Sequence, residues 1–339
     1  MDKTFIIITV DVEDFFVPRP RTDMLFARLG GKYYGITRLM DIMDRHNSKG
    51  TFFVDVYNRE TLSEGLIREA CQEIDRRRHE VALHTHPEVP RTGRYDDKAA
   101  LSSRGLDEQV KIIRKGKDLI EKWVSRSPLA HRAGAYAANY ETLRALKTNS
   151  IPVDSSMFYK QWMCGLNHPL LTINQPTVWE NVLELPISVT LNKYGLKILG
   201  VQVGLIGLYK KVDLYWCSLR ELKKQIRDLK EHHINPIIIF LHSYSLVSTR
   251  TKPRPNYRAL DNFQELVRWM VDLEDTEIVT VGKFYQAYCE DQQRAGENEV
   301  PVLVTMVNEL PARELWEILQ KVRLSHARII LESFKKRPI

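Results

Sequence analysis

The chain has 339 residues, of which 43% are hydrophobic and 27% charged, as is ordinary for a soluble globular protein with one large domain or two. Its four cysteines (Cys71, Cys164, Cys217 and Cys289) are far apart and form no CxxC pair, which argues against a zinc knuckle or a disulfide framework and favours a reducing compartment. The net charge of +7 is uneven, because residues 311–339 alone carry a net charge of +4.

The two ends of the chain lead to predictions about location. The apolar run "FIIITV" at the N-terminus is too short for a signal peptide or a membrane span, which predicts a cytoplasmic protein. The basic C-terminal segment predicts peripheral contact with anionic lipid at the inner face of the membrane. The alternative for that segment is a helix with a solvated charged face.

Strand and helix patterns alternate along the chain. Strands are predicted at 5–10, 50–56, 80–83, 129–136, 151–156, 180–188, 194–209, 236–243 and 276–281, and helices at 35–47, 64–78, 106–124, 140–149, 218–232 and 258–273. This alternation is typical of an α/β fold whose parallel strands are joined by crossover helices. About seven such units favour a distorted (β/α) barrel over an open sheet, and the lack of a glycine-rich phosphate loop argues against a nucleotide-binding sheet.

Composition predicts four regions. Residues 1–289 form the barrel, and 157–215, poor in helix and rich in Trp and Tyr, form an inserted lobe. The polar stretch 290–299 is a linker, and 300–339 is an amphipathic basic helical tail.

Polar residues directly follow several of the apolar strands. They are Asp11, Glu13, Asp14, His84, His86, Arg132, Asp154 and His242. In a parallel barrel the carboxyl ends of the strands meet at one mouth, so these side chains are expected to converge. Alternation along a strand places Asp11 and Glu13 on one side, and likewise His84 and His86. One carboxylate with two imidazoles suits zinc or another divalent transition ion, with a position left open for water.

Five of these stretches, "TVDVED", "HEVALHTHPE", "HRAGAY", "VDSS" and "IIIFLH", occur in an order that resembles the polysaccharide deacetylase family, also called the NodB-homology or carbohydrate esterase 4 group. The resemblance covers residues 4–288. It implies a distorted (β/α) barrel and metal-dependent removal of N-acetyl, or sometimes O-acetyl, groups from sugars.

The resemblance also implies a metal site and a catalytic base. Asp11 matches the base, and His84 matches the first metal-binding histidine. The metal carboxylate is Glu13 by its D-x-E spacing, with Asp14 as the alternative. The second histidine ligand is His86 of "HTHP", with Glu88 as the alternative. The metal is one divalent ion, with Zn²⁺ preferred and Co²⁺, Ni²⁺ or Mn²⁺ as alternatives.

The remaining roles implied by the resemblance concern proton transfer and substrate binding. Arg132 matches the arginine that orients the base, and Asp154 matches the acid that holds the catalytic histidine. His242 matches the general acid, and Leu241 matches the apolar wall of the acetyl pocket. The backbone N–H of Tyr136 or a neighbour is expected to stabilise the oxyanion.

The expected activity is hydrolytic removal of an N-acetyl group from an amino sugar in a glycan or glycan precursor. The expected partner is therefore the acetylated amino-sugar substrate, with no nucleic acid. Two alternatives stay open. One is a deformylase or another amidohydrolase acting on a modified sugar or a cyclic amide, and the other is a catalytically silent carbohydrate-binding protein. No prediction of oligomeric state follows.

Overall fold

The structure is a computed structural model that describes residues 3–14, 23–57, 62–87, 100–166, 173–198, 201–248, 252–292 and 304–309. Its strands are β1 (Thr4–Val12), β2 (Arg28–Leu29), β3 (Lys32–Tyr33), β4 (Thr51–Asp55), β5 (Glu80–Thr85), β6 (Ala130–Ala133), β7 (Val153–Asp154), β8 (Thr177–Trp179), β9 (Val182–Glu184), β10 (Val189–Ile198), β11 (Val201–Lys211), β12 (Ile237–His242), β13 (Val247–Ser248), β14 (Arg254–Pro255), β15 (Thr276–Val279) and β16 (Val304–Glu309). Its helices are α1 (Ile36–Asp44), α2 (Glu64–Arg76), α3 (Leu106–Val124), α4 (Tyr140–Thr148), α5 (Leu219–Glu231), α6 (Tyr257–Val271) and α7 (Val281–Gln292).

The principal sheet follows the order β12-β1-β4-β5-β6-β7-β9-β8, and β15 also pairs with β1. Among the described residues, every pairing in this sheet is parallel except that of β8 with β9. The prediction of a distorted, NodB-like (β/α) barrel is confirmed, with eight parallel strands where about seven were expected.

The central strands of the principal sheet are buried on both faces, as parallel strands covered by helices require. In β1, all residues from Ile6 to Val12 are buried, and β4 is buried throughout. Helix α2 shows how the outer layer forms. The Ser63 hydroxyl accepts the N–H of Leu66 at its start, and residues Ile67, Ala70, Cys71 and Ile74 recur at helical spacing on its buried side.

A short segment closes the gap between β12 and the chain that follows β9. The N–H of Val212 donates to Ser188 O over 3.2 Å, and the N–H of Phe240 donates to Val212 O over 2.8 Å. The Ser188 hydroxyl in turn accepts the N–H of Ile238 at 2.8 Å. This closure brings the neighbouring residues Lys211 and Asp213 to the barrel, which the sequence did not predict.

The chain divides into two compact units. One consists of Met1–Val189 and Lys211–Val304, and the other of Thr190–Lys210 and Thr305–Ile339. In the second unit, β11, β10 and β16 form a three-stranded sheet in that order. The predicted lobe at 157–215 is therefore mixed, because β8 and β9 within it belong to the principal sheet.

The prediction of a helical tail over residues 300–339 was wrong at the start of that range. Residues Val304–Glu309 form a strand rather than a helix, consistent with the β-branched Val304, Thr305 and Val307. Helix α7 also extends to Gln292, so the first residues of the predicted linker are helical. Residues 293–303 and 310–339 lie outside the described part of the chain, and the helix predicted there stays a prediction. Within the described ranges, no helix combines the length and apolar character needed to span a bilayer.

Candidate active site

Strand register places one set of polar side chains on the inner face of the barrel. Asp11, near the end of β1, is paired with His242 on β12 and with Phe53 on β4. On the next strands, His84 of β5 is paired with Arg132 of β6. Paired residues on neighbouring strands point to the same face of a sheet. The 2.7 Å hydrogen bond from Arg132 Nη1 to Asp11 Oδ1 shows that both side chains point inward.

The predicted metal ligands come together at the carboxyl ends of β1 and β5. Oε2 of Glu13 lies 2.9 Å from Nε2 of His86 and 3.4 Å from Nε2 of His84. One ligand atom from each of the three residues lies within 4.8 Å of the others, and all three residues are buried. The structure therefore brings these three predicted residues together in one cluster.

The donor atoms of this cluster fit a divalent cation. Nδ1 of His84 lies 2.8 Å from the backbone oxygen of Arg132, which can only accept a hydrogen bond, so Nδ1 carries the proton. In the neutral imidazole, Nε2 therefore presents its lone pair toward Glu13. Oε2 of Glu13 is buried and faces the Nε2 atoms of both histidines, without a geometrically aligned hydrogen bond to any described residue. Two imidazole nitrogens and a carboxylate oxygen are the ligands of open, hydrolytic zinc sites.

The charges around the cluster also favour a cation. Burial opposes the charge on His84, but the carboxylates of Asp11, Glu13 and Asp55 outweigh burial and raise the pKa of His84 to about 9. Burial likewise opposes the charge on Glu13, but the two histidines lower the pKa of Glu13 well below its usual value. Negative charge that stabilises a proton on His84 would also stabilise a metal ion bound in its place.

Asp11, the predicted base, is held by Arg132. The guanidinium is fully buried, and besides Asp11 it donates from Nε to the backbone oxygen of Ser155 at 2.9 Å and from Nη2 to the Ser155 hydroxyl at 3.0 Å. It lies over the ring of Phe53, 4.1 Å from the centroid. A buried arginine fixed by several acceptors fixes the direction of the neighbouring carboxylate.

His242, the predicted acid, lies on the other side of Glu13. Its Nε2 is 3.6 Å from Oε1 of Glu13, and its side chain is 23% exposed, more than that of any metal-cluster residue. The ring stacks on Tyr244 and meets the edge of Phe240, with centroid distances of 4.8 Å in both cases. Burial and the nearby charge of Lys211 lower the pKa of His242, although nearby carboxylates oppose this effect.

Tyr136 reaches this region through an unusual backbone. Ala135 and Tyr136 both have left-handed conformations, with φ of 51° and 61°, which are uncommon for residues other than glycine. The Tyr136 hydroxyl accepts a 2.7 Å hydrogen bond from Lys211 Nζ. Lys211 Nζ also lies 3.3 Å from Asp213 Oδ2 and 3.3 Å from the centroid of the Phe240 ring.

Asp213 stands where the sequence prediction had placed Asp154. Its carboxylate is fully buried, and it is one of the groups whose charge favours the protonated form of His242. Its Oδ1 accepts the N–H of Tyr215 at 2.8 Å, which fixes the carboxylate. The sequence offered one signal for Asp213, because this acid directly follows the mainly apolar stretch 201–212. Two lysines interrupt that stretch, and the sequence analysis did not select Asp213.

The prediction that Asp154 holds His242 was wrong. Asp154 Oδ1 accepts a 2.7 Å hydrogen bond from His131 Nδ1 and a 2.9 Å hydrogen bond from the Ser156 hydroxyl. By register Asp154 is paired with His131, the residue before the inward-pointing Arg132. Because consecutive side chains alternate between faces, His131 and Asp154 lie on the outer face of the sheet.

Glu184 completes this outer group. It is paired with Asp154 in register, and both residues are fully buried. Burial and the charge of Asp154 raise the pKa of Glu184 well above its usual value. Burial also opposes the charge on Asp154, but hydrogen bonds, that of His131 foremost, lower the pKa of Asp154. Glu184 therefore carries the proton of this carboxyl pair. The pair lies on the outer face of the sheet, where its role is structural.

Alternation also corrects the prediction for Leu241. Leu241 is paired with Val10, whereas its neighbour His242 is paired with Asp11 on the inner face. Leu241 therefore points to the outer face, where it is fully buried in the hydrophobic core, and it does not line the site. Phe240, two residues before His242, points inward instead.

The structure describes one of the two alternative ligands. Asp14 is described, but the three-residue ligand group contains Glu13 in its place. Glu88 lies outside the described residues. Another inward residue, Asp55, was missed, although it follows the apolar run "TFFV" in the way that the predicted residues follow their strands.

Solved structures share this architecture. A candidate polysaccharide deacetylase from Mycobacterium smegmatis is 21% identical, with 89% of this chain and 96% of that chain covered and a TM-score of 0.55. The peptidoglycan deacetylase PdaC from Bacillus subtilis is 13% identical, with 86% and 95% covered and a TM-score of 0.44. No family model matches the sequence, and no curated protein matches it significantly. The chain has the fold of the NodB-like polysaccharide deacetylases.

Proposed function

We propose that this protein is a metal-dependent hydrolase that removes an N-acetyl group from an amino sugar in a glycan or glycan precursor. The observation that carries the proposal is the meeting of three groups at one end of the barrel. These are the Arg132–Asp11 ion pair, the cluster of Glu13, His84 and His86, and the imidazole of His242. The shared fold with polysaccharide deacetylases is consistent with that chemistry.

Glu13, His84 and His86 would hold the metal ion, with Zn²⁺ preferred by a donor set of two imidazoles and one carboxylate. When bound, such an ion polarises the acetamide carbonyl and lowers the pKa of water. The hydrogen bond between His84 Nδ1 and the backbone of Arg132 keeps the ligand nitrogen directed at the cluster.

Asp11 takes the proton of the attacking water in this proposal. Its Oδ1 is occupied by Arg132 at 2.7 Å, and its Oδ2 lies on the side of the cluster, 3.9 Å from His84 Nε2. The fixed guanidinium orients the carboxylate and stabilises its charge. The backbone N–H of Tyr136 stabilises the oxyanion that forms on the substrate carbonyl.

His242 gives a proton to the leaving amine. Its partial exposure allows contact with substrate, and its lowered pKa makes the protonated ring a stronger acid. The buried carboxylate of Asp213 stabilises the protonated ring electrostatically, the role that had been expected of Asp154.

The proposal is tested by incubating the full chain, loaded with Zn²⁺, with a panel of N-acetylated amino sugars and oligosaccharides and by detecting loss of the acetyl group by mass spectrometry. Replacement of the base in Asp11→Asn is expected to lower kcat by about 10²–10⁴-fold. A protein loaded with metal that hydrolyses none of the panel contradicts the proposal.

The panel also separates the alternatives. Turnover of N-formyl sugars or cyclic amides alone would identify a deformylase or another amidohydrolase. Sugar binding by wild type and Asp11→Asn alike, without turnover in either, would identify a carbohydrate-binding protein.

The place of the reaction is also proposed. We expect a cytoplasmic substrate and peripheral contact of the basic residues 311–339 with anionic lipid. Deletion of residues 300–339 should then reduce binding to vesicles that contain anionic lipid, and unchanged binding would exclude this contact.

A further inference from the structure

We infer that Asp55 is a fourth protein group of the metal centre, a second carboxylate that strengthens cation binding beside Glu13, His84 and His86. This inference rests on the metal dependence of the proposed function. It concerns the last residue of β4, a strand that contributes no residue to the three-residue ligand group.

Register places Asp55 on the inner face of the barrel. It is the paired residue of His84 on the neighbouring strand β5. It also stands two residues after Phe53, the partner of Asp11, and side chains two residues apart in a strand point to the same face. Continuing the β1–β4 register by two residues places Asp55 opposite Glu13. The two carboxylates thus flank the position of the cation from adjacent strands.

One oxygen of Asp55 is anchored, and the other has no partner among the described residues. Oδ1 accepts the backbone N–H of Tyr57 at 3.0 Å and that of His86 at 3.4 Å, which ties it to the loops after β4 and β5. The residue is 1% exposed, and Oδ2 has no hydrogen-bond partner in the described part of the chain. Leaving a buried carboxylate oxygen without a partner is costly, and beside the ligand residues a bound cation would remove that cost.

The surroundings of Asp55 are those of the metal site. Its carboxylate interacts electrostatically with His86, His84 and Glu13, the three ligands. Because its Oδ1 accepts the backbone N–H of His86, a change in the position of Asp55 would also move a ligand residue. An additional carboxylate beside the ligand residues attracts a divalent cation and supports the ligand geometry, as outer groups of metal sites do.

The inference is tested by measuring Zn²⁺ and Co²⁺ affinity of the metal-free full chain by competition with a chelating dye, without reference to turnover. Asp55→Asn is expected to weaken binding by about 10–100-fold and to change the visible absorption spectrum of the Co²⁺ protein. Asp55→Glu, which restores a carboxylate, should recover part of the affinity.

Glu80→Gln is a matched control at the opposite end of β5. Glu80 is a partly buried residue. One of its carboxylate oxygens accepts from the Thr51 hydroxyl at 2.7 Å and from the Gly282 N–H at 3.0 Å, and the other is a buried oxygen without a partner among the described residues. The Glu80→Gln substitution should leave the metal affinity and the Co²⁺ spectrum unchanged, even if it changes the stability of the protein.

Two results would overturn the inference. Asp55→Asn could bind both metals with wild-type affinity and spectrum, or lose only thermal stability, as a purely structural residue would. Either result leaves the proposed deacetylase activity standing, because that activity is judged by the sugar panel. If Asp55→Asn does not fold, Asp55→Ser and Asp55→Glu provide the same comparison with Glu80→Gln.

Discussion

Arg132 connects the parts of the site at the scale of single residues. Its side chain holds Asp11 and Ser155, and its backbone oxygen accepts the hydrogen bond that orients His84. A guanidinium with no exposed surface is stable only when it is paired and hydrogen-bonded. The positions of the base and of one metal ligand therefore depend on the same residue.

Gly134 makes room for a metal ligand. A β-carbon added at this position would overlap the ring of His86, which packs directly on the glycine. We therefore expect Gly134→Ala to displace His86 and to weaken Zn²⁺ binding by about 10-fold or more, measured by competition with a chelating dye. Gly105→Ala is the control, because a β-carbon there meets nothing within 4 Å. Wild-type affinity in Gly134→Ala would show that the ring of His86 moves without loss of its ligand role.

At the scale of elements, the two faces of β6 have separate functions. Arg132 serves the inner face, whereas His131 joins Asp154 and Glu184 on the outer face. His131 Nε2 also lies 2.9 Å from the Thr85 hydroxyl, so this outer row links β5, β6, β7 and β9. Its hydrogen bonds hold the strands at the register that the inner face needs.

Asp154→Asn tests this division. Loss of the carboxylate should lower the free energy of unfolding by about 1–3 kcal/mol, because buried partners are left unsatisfied, while kcat stays within about two-fold. Urea unfolding and steady-state kinetics measure the two effects. Asp213→Asn is the comparison, and we expect it to lower kcat because its charge acts on His242. A large fall in kcat with Asp154→Asn and none with Asp213→Asn would restore the original assignment of Asp154.

His79, the residue directly before β5, is a buried histidine whose neutral form is favoured by folding. It contacts residues at the end of α1 and just before β4. His79 Nδ1 accepts the N–H of Gly50 at 3.0 Å, and its Nε2 lies 3.1 Å from Asp44 Oδ1. Burial, helped by the charges of Lys49 and Arg77, lowers the pKa of His79 to about 4 despite Asp44. Protonation would remove the acceptor of Gly50.

This histidine predicts a pH dependence of stability. Between its usual pKa and the lowered one, the unfolded state binds a proton that the folded state does not, so stability falls as the pH is lowered through this range. At about pH 5 the loss relative to pH 7.5 is about 2 kcal/mol for this residue. Urea unfolding at the two pH values should show a smaller difference in His79→Gln than in wild type. Equal differences in the two proteins would refute this assignment.

At the scale of the whole molecule, the site joins elements that are far apart in sequence. Asp11 and Glu13 belong to the first strand region, His84 lies in β5 and His86 directly follows it, and His242 ends β12. A metal ion held by Glu13 and the histidines would tie β1 to β5 across β4, which lies between them. Such an ion stabilises the folded state, because the site does not exist in the unfolded chain.

Metal loading is therefore expected to raise the melting temperature. At a free Zn²⁺ concentration about 100 times the dissociation constant, the folded state gains about 2.7 kcal/mol, and a chelator should reverse the shift. Differential scanning calorimetry of the full chain measures it. The double replacement of His84 and His86 by Asn should abolish the response, and a protein whose melting temperature ignores both Zn²⁺ and chelator has no such site.

The sequence alone determined the type and order of most elements and the rim at which the chemistry lies. Apolar runs of strand length, separated by helices, imply parallel connections, and parallel strands bring their carboxyl ends to one edge. For that reason Asp11, Glu13, His84, His86, Arg132 and His242 could be predicted together, and all of them meet at the inner face.

Only the tertiary structure decided which face each residue occupies and which distant residue stands beside it. Neighbouring residues of a strand point to opposite faces, so a difference of one position decides whether a side chain enters the site. Asp154 and Leu241 both lie near strand ends, but the pairing of their strands places them on the outer face. Lys211 and Asp213 reach the site because hydrogen bonds of Val212 to Ser188 and Phe240 close the barrel there. Pairing between distant segments depends on the energy of the whole sheet, and no local pattern in the sequence encodes it.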